Sequence, residues 1–189
     1  EPAAAGDGPT PTIVLLHGLF DDARGWRDLP RRLEATGARV VALDLPGHGE
    51  NAAIAHSFDD VVDQMAARLA QAVPRGALHL VGHSLGAVIA ARLAQHLGPR
   101  VTGLTLLAPA GIGSPVAQGF VDGMLGATST EALAPVLDWL DAGPVSASGL
   151  VAELARLQAR RAGHAGLAGI AAHLPDITGD LGRLACPVR

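Results

Sequence analysis

Leu78-His79-Leu80-Val81-Gly82-His83-Ser84-Leu85-Gly86 is the stretch around which the rest of the chain is read. A short apolar run suits a buried strand, and it leads directly into Gly-x-Ser-x-Gly. Residues 87–97 then carry helical character, closed by Gly98 and Pro99 as stop signals. A strand that turns sharply into a helix needs flanking residues without Cβ atoms, and it leaves the central side chain exposed at the apex. Ser84 is therefore the candidate nucleophile.

Upstream, Ile13-Val14-Leu15-Leu16 is a continuous apolar run, the pattern of a strand covered on both faces in a parallel sheet. It ends in His17-Gly18-Leu19-Phe20. A turn at Gly18 would let the amide of Leu19 or Phe20 point beside Ser84 Oγ. The Leu85 amide, at the start of the following helix, would be the second donor of an oxyanion hole, aimed at the oxygen that turns negative in acyl transfer. Apolar spacing at Trp26, Leu29 and Leu33 predicts a helix within 22–36, stopped by Gly37. A second strand is expected over 39–45, running into Pro46-Gly47-His48-Gly49. A helix follows over 58–73, with Ser57 as N-cap and Asp59 and Asp60 in its first turn. Residues 101–107 read as another strand. Strands alternating with helices predict an α/β fold: a mostly parallel, doubly wound sheet with helices on both faces and right-handed crossovers. Sites in such sheets lie at the carboxyl ends of the strands, where His17 to Phe20 and Ser84 both fall.

Past Gly111 the pattern changes. Helical periodicity over 116–125, 132–140 and 150–161, with Leu150, Leu154 and Leu157 on one face, predicts a helical lid over about 112–178. Residues 176–184 return toward the sheet, and Cys186-Pro187-Val188 reads as the opening of a further strand. Residues 1–11, rich in Pro, Ala and Gly, read as a flexible linker. Residues 12–189 are then one domain, incomplete at its C-terminus, and the chain is expected to be a fragment at both ends.

Composition excludes several classes. A chain of 189 residues that is 49% hydrophobic can bury one sizeable core. A net charge of −4 argues against nucleic acid and anionic membranes, leaving a small molecule as the default partner. No apolar run approaches the ~18 residues of a membrane span, and the N-terminus carries no signal-like segment. With a single cysteine, Cys186, this suggests a cytoplasmic protein. All 14 basic residues are arginine, so no lysine is present to carry a lipoyl group, form a Schiff base or hold a nucleotide phosphate.

His17-Gly18, Asp44-Leu45-Pro46-Gly47-His48-Gly49 and Gly82-His83-Ser84-Leu85-Gly86, at these separations, resemble the α/β-hydrolase fold. More narrowly, 40–49, 104–113 and the helix at 133–140 are similar to the C-terminal hydrolase-like domain of the dihydrolipoamide acetyltransferase component of acetoin dehydrogenase complexes. That resemblance implies Ser84 as nucleophile with the Leu19 and Leu85 amides as the oxyanion hole. It also implies an ester or thioester substrate, coenzyme A as an acyl acceptor, a lipoyl group on a separate preceding domain, and other complex subunits as partners. In the fold, the triad acid and histidine follow later strands, so both are expected beyond Arg189 and not in this segment. Stand-alone carboxylesterases and C–C hydrolases share the same motifs. A non-catalytic hydrolase-fold module for binding or assembly is the alternative of another class, since loss of the general base alone forfeits about 10² to 10⁴ in rate.

The remaining candidates read mostly as structural. His83 should point away from Ser84 Oγ and pack near the oxyanion strand. His17 and His48 suit turn hydrogen bonds, and His79 sits in a strand. His56, His96, His164 and His173 read as surface or lid residues, none at metal-site spacing, so no metal is expected. Asp44 suits a turn rather than a triad. Trp26 reads as core, while Phe20 and Trp139 line an acyl pocket or fill core.

Overall fold

The computed structural model describes residues 10–110, 117–140 and 145–189, apart from the side chain of Asp180. Most of the expected linker, and parts of the expected lid at 111–116 and 141–144, lie outside the described residues.

Four strands, β1 (Thr12–Leu16), β2 (Val40–Leu43), β3 (Leu78–His83) and β4 (Val101–Leu107), form one sheet in the order β2-β1-β3-β4. Every pairing is parallel. Leu16 pairs in register with Gly82, so the end of β1 and the start of the Gly-x-Ser-x-Gly turn meet side by side. Val14 and Leu16 join the main core with Leu78, Leu80, Val88, Ile89 and Leu104. Leu15 points to the other face by strand alternation and is also fully buried, as a strand covered on both faces requires. The α/β class and the parallel sheet read from the sequence are thus the observed architecture.

Helices α1 (Leu29–Glu34), α2 (Phe58–Ala72) and α3 (Leu85–Leu97) connect the strands. The Ser57 hydroxyl caps α2 by accepting from the Asp60 amide, with Asp59 and Asp60 in the first turn. The helix expected over 22–36 is broken in two: a 3₁₀ turn, Ala23–Trp26, and then α1. Arg27 stands between them at φ 49°, which ends the turn, and Pro30 enters α1 within its first turn, where no amide hydrogen is missed.

After β4 the described residues are helical: α4 (Gln118–Gly126), α5 (Thr130–Leu137), α6 (Ala147–Ala159), α7 (Arg161–Ala171) and the short α8 (Thr178–Leu181). The expected helix over 150–161 ends at Arg160, whose φ of −125° and ψ of 22° break the register before α7. Helix α7 was not assigned from the sequence. Its buried face, His164, Leu167, Ala168 and Ala171, nonetheless follows helical spacing. Leu133, Leu157, Ala168, Val121 and Met124 form a second, smaller core around Phe20. None of the described helices is long and apolar enough to cross a membrane.

The chain then returns to the sheet. The Leu104 amide donates to the Pro187 carbonyl (3.0 Å) and the Leu106 amide to the Arg189 carbonyl (2.8 Å), a parallel bridge beside β4. The strand opening read at Cys186 is therefore present.

Candidate active site

Ser84 is the N-cap of α3 and has φ 51° and ψ −117°, a backbone conformation that L-residues avoid. Two glycines make the bend sterically feasible. A methyl group on Gly86 would lie 2.3 Å from the carbonyl oxygens of Leu16 and His17, and one on Gly82 would lie 2.3 Å from the Gly86 carbonyl oxygen. Strand β3, helix α3 and the end of β1 thus pack backbone to backbone, and Ser84 is held between them. Its amide donates to the Leu107 carbonyl (2.9 Å), and its carbonyl accepts from Ala87 (3.0 Å) and Ala110 (3.2 Å). The hydroxyl itself has no hydrogen-bond partner among the described residues.

The oxyanion candidates lie beside it. Leu85 opens α3, so its amide has no carbonyl partner within the helix. Gly18 sits so close that a methyl group there would be 3.2 Å from Ser84 Cβ. The peptide joining Gly18 to Leu19 is oriented by His17, whose Nδ1 donates to the Gly18 carbonyl at 2.8 Å. The N–H of that same peptide, on Leu19, points the opposite way and meets no acceptor among the described residues. On its far side, His17 Nε2 accepts the Leu45 amide (3.0 Å). A carbonyl can only accept and an amide can only donate, so the ring is fixed in one neutral tautomer. Burial pushes the His17 pKa below its ordinary value, against the opposing pull of the Gly18 carbonyl and of Asp21, Asp44 and Asp22.

Asp44 holds the neighbouring turns together. Its carboxylate accepts the Ala23 amide (2.7 Å) and the Glu50 amide (2.8 Å), and its carbonyl accepts from Asn51 Nδ2 (3.0 Å). These bonds curl the chain away from the sheet, and the second strand stops at Leu43 rather than running to residue 45.

A second set of histidines lies where α7 meets the core. His48 is fully buried and His164 is 1% exposed, with ring centroids 4.4 Å apart. His164 also stands edge-on to Phe20 at 5.7 Å, and His48 lies 5.5 Å from His17. His164 was expected at the surface or on the lid; it lies within the helical segment, but buried. Beside it, Gly47 and Gly163 approach so closely that a methyl group on Gly163 would lie 2.1 Å from the Gly47 carbonyl oxygen. His48 Nδ1 donates to the Pro46 carbonyl (2.9 Å), while the Nε2 atoms of both rings are buried without a partner among the described residues. Burial, with His164, His17 and Arg156 nearby, pushes His48 down to about 3. Burial, Arg156 and His17 push His164 down to about 4, with Asp22 opposing. Both rings are neutral near pH 7. The His83 ring, by contrast, lies over Gly18, with Nδ1 3.0 Å from where a methyl group would stand.

Two cavities meet at Ser84. The smaller, about 250 Å³, has no charged lining residue among the described residues and is bounded by Leu19, Leu85, Ala110, Phe120, Trp139 and Ala171 among others. The larger, about 490 Å³, reaches from Ser84 and Phe20 to Asp21, Asp22, Arg24, Arg27, Glu153 and Arg156. Backbone strain gathers here: the non-glycine residues with positive φ among the described residues are Phe20, Arg27, Ser84 and Ala108, and the first three line the larger cavity. Burial acts to raise the Asp22 carboxyl, but hydrogen bonds and charge from Arg24 outweigh it and hold the group below its ordinary value. No group of three or more His, Cys, Asp or Glu among the described residues could hold a metal ion. Phe20 and Trp139 both line cavities, while Trp26 is half-buried.

A strained serine at a strand-to-helix turn, beside amides at the carboxyl end of a parallel sheet, defines the class of serine-elbow hydrolase folds. The chain belongs to the alpha/beta hydrolase fold family, which matches residues 11–140. It is 36% identical over 140 residues to the dihydrolipoyllysine-residue acetyltransferase component of the acetoin cleaving system of Pseudomonas putida, covering 74% of this chain and 37% of that protein. It is 38% identical over 144 residues to the protein of the same name from Cupriavidus necator, covering 74% and 38%. A crystal structure of a hydrolase from Pseudomonas aeruginosa superposes with a TM-score of 0.71 at 23% identity, covering 97% of this chain and 72% of that one, a likeness of fold. The chain spans 37–38% of the length of the two acetyltransferase components. These relatives are named as enzymes, and the fold they share with this chain is an enzyme fold.

Proposed function

We propose that Ser84 is the nucleophile of an acyl transfer from an ester or thioester. The observation that carries this reading is the serine itself, strained at the apex of the elbow with a hydroxyl that meets no partner among the described residues, beside the Leu19 and Leu85 amides. Ser84 Oγ attacks the carbonyl carbon and gives its proton to a histidine acting as general base. The carbonyl oxygen takes up the electron pair and rests on the two amides. The tetrahedral intermediate then collapses. The bond to the alcohol or thiol breaks, the leaving group takes the proton from the histidine, and the acyl group stays on Ser84. Water or a thiol attacks the acyl-serine by the same sequence in reverse.

Similarity to the two acetyltransferase components supports a narrower reading. In it, the acyl group is acetyl, the acceptor is coenzyme A, and the chain works beside other subunits of an acetoin-cleaving complex. The lipoyl group would then sit on a separate domain, since this chain has no lysine to carry one. The test is to give the full-length protein an acetyl thioester with and without a thiol acceptor. Acetyl transfer that outpaces hydrolysis and disappears in Ser84→Ala is expected. Hydrolysis alone would leave the esterase reading and remove the acetyltransferase one, and no turnover of any ester or thioester would refute both.

A further inference from the structure

The charged wall of the larger cavity is unevenly paired. Arg24 donates Nη2 to Asp22 Oδ2 at 2.8 Å and Nε to Oδ1 at 3.2 Å. Arg156 donates Nε (3.1 Å) and Nη2 to Glu153, and its Nη1 stands 3.9 Å from Asp21 Oδ1. Although Arg156 Nη1 is buried without a hydrogen bond among the described residues, each of these arginines already faces a carboxylate. Arg27 does not: its exposed side chain lines the same cavity and has no hydrogen bond or ion pair among the described residues. Its backbone is also fixed in an unusual place. At φ 49° and ψ −119° it occupies a conformation L side chains avoid, closed by its amide donating to the Arg24 carbonyl (2.9 Å) at the end of a turn that Asp22 caps. The stem of Arg27 therefore leaves a strained, hydrogen-bonded loop at the rim of the Ser84 cavity, with a guanidinium free to receive an oxyanion in its planar fork. Among the described residues the smaller cavity is lined by no charged group, so these residues offer an anion there no replacement for its lost hydration.

Resting on Ser84 as an acyl-transfer nucleophile, we propose that Arg27 makes the larger cavity a subsite for an anionic group, a carboxylate or a phosphate. That group is carried on the alcohol or thiol arm of the substrate, and the acyl group occupies the apolar cavity. The enzyme then favours esters and thioesters whose leaving arm is negatively charged.

Binding, rather than turnover, is the readout that separates this subsite from the chemistry. Full-length protein carrying Ser84→Ala is titrated by NMR with 3-acetoxybenzoate, its neutral amide 3-acetoxybenzamide, and 3-acetoxyphenyl phosphate. The anionic esters are expected to bind about three- to tenfold more tightly than the amide, the range of a partly exposed charge-assisted contact. That ratio should fall to about one with Arg27→Met added and reverse with Arg27→Glu. Because it compares ligands on one protein sample, partial unfolding scales both constants and leaves it unchanged. The tighter of the two anions identifies the natural arm as carboxylate or phosphate. Equal binding of anion and amide, or a preference that survives Arg27→Met, would overturn the subsite. A preference that persists while protein with Ser84 intact turns over no ester supports the subsite and removes the acyl-transfer reading instead.

Discussion

Around Ser84 the walls of the site come from two differently built regions. On the sheet side, β1, β3 and α3 touch backbone to backbone through Gly82 and Gly86, and the core beneath them is fully buried from Val14 to Leu104. On the helical side, α4 to α7 share a small core built on Phe20, and Trp139 and Val151 are 62% and 60% exposed. Gly126, Gly166 and Gly169 have nothing within 4 Å of an added methyl group. The sheet side therefore holds Ser84 by close backbone contacts, whereas the helical side shapes the cavities with looser packing around Gly126, Gly166 and Gly169. Ser84 sits on the tightly packed half, while the cavities beside it are walled jointly by the helical half and by the turn that carries Phe20 and Arg27.

Replacing Gly86 with alanine attacks the rigid half directly. The new methyl group meets two carbonyl oxygens at 2.3 Å and cannot be accommodated without separating α3 from β1. A loss of about 3 kcal/mol or more is expected in chemical denaturation, together with loss of Ser84 reactivity. Gly163→Ala tests a backbone-to-backbone contact of the helical half that is equally tight. Lifting α7 from the Gly47 turn should cost about 1–3 kcal/mol, seen as a lower melting temperature. A neutral result would mean that α7 yields as readily as its neighbours and that the contrast runs through the whole helical side.

The same seam should respond to acid. The folded-state pKa values of His48 and His164, about 3 and about 4, lie below the ordinary 6.5. Between pH 6.5 and about 4 the unfolded chain binds protons that the folded chain does not. Stability is therefore full above pH 6.5 and declines as pH falls through that window. Thermal melts from pH 7 to 4.5 should fall steadily, and less steeply in His164→Leu; parallel slopes in the two proteins would remove these histidines as the cause. The smallest effect is expected at Gly169→Ala. With open space around it inside α7, alanine should stabilise by about 0.5–1 kcal/mol.

What was legible in the sequence follows the same division. The elbow could be read because Gly82 and Gly86 answer a local steric demand around Ser84, and the strands because continuous apolar runs suit a parallel sheet covered on both faces. Helix α7 escaped because its sequence, Arg-Ala-Gly-His-Ala-Gly-Leu-Ala-Gly-Ile-Ala, carries its buried face on His164 and small residues instead of large apolar ones. The spacing of His164, Leu167, Ala168 and Ala171 was the available signal. The break at Arg27 was hidden because Trp26, Leu29 and Leu33 keep helical spacing across it, and nothing in an arginine announces a positive φ. The contact of His48 with His164 joins residues far apart in the chain, and only packing brings them together.

The most direct measurement is to react the full-length protein with a fluorophosphonate, weigh it intact, and map the modified peptide. One equivalent of label on Ser84, absent in Ser84→Ala and in unfolded protein, is the expected result. Folded protein that takes up no label, or takes it up equally in Ser84→Ala, would contradict the assignment of Ser84 as the nucleophile and leave a hydrolase fold that binds without reacting.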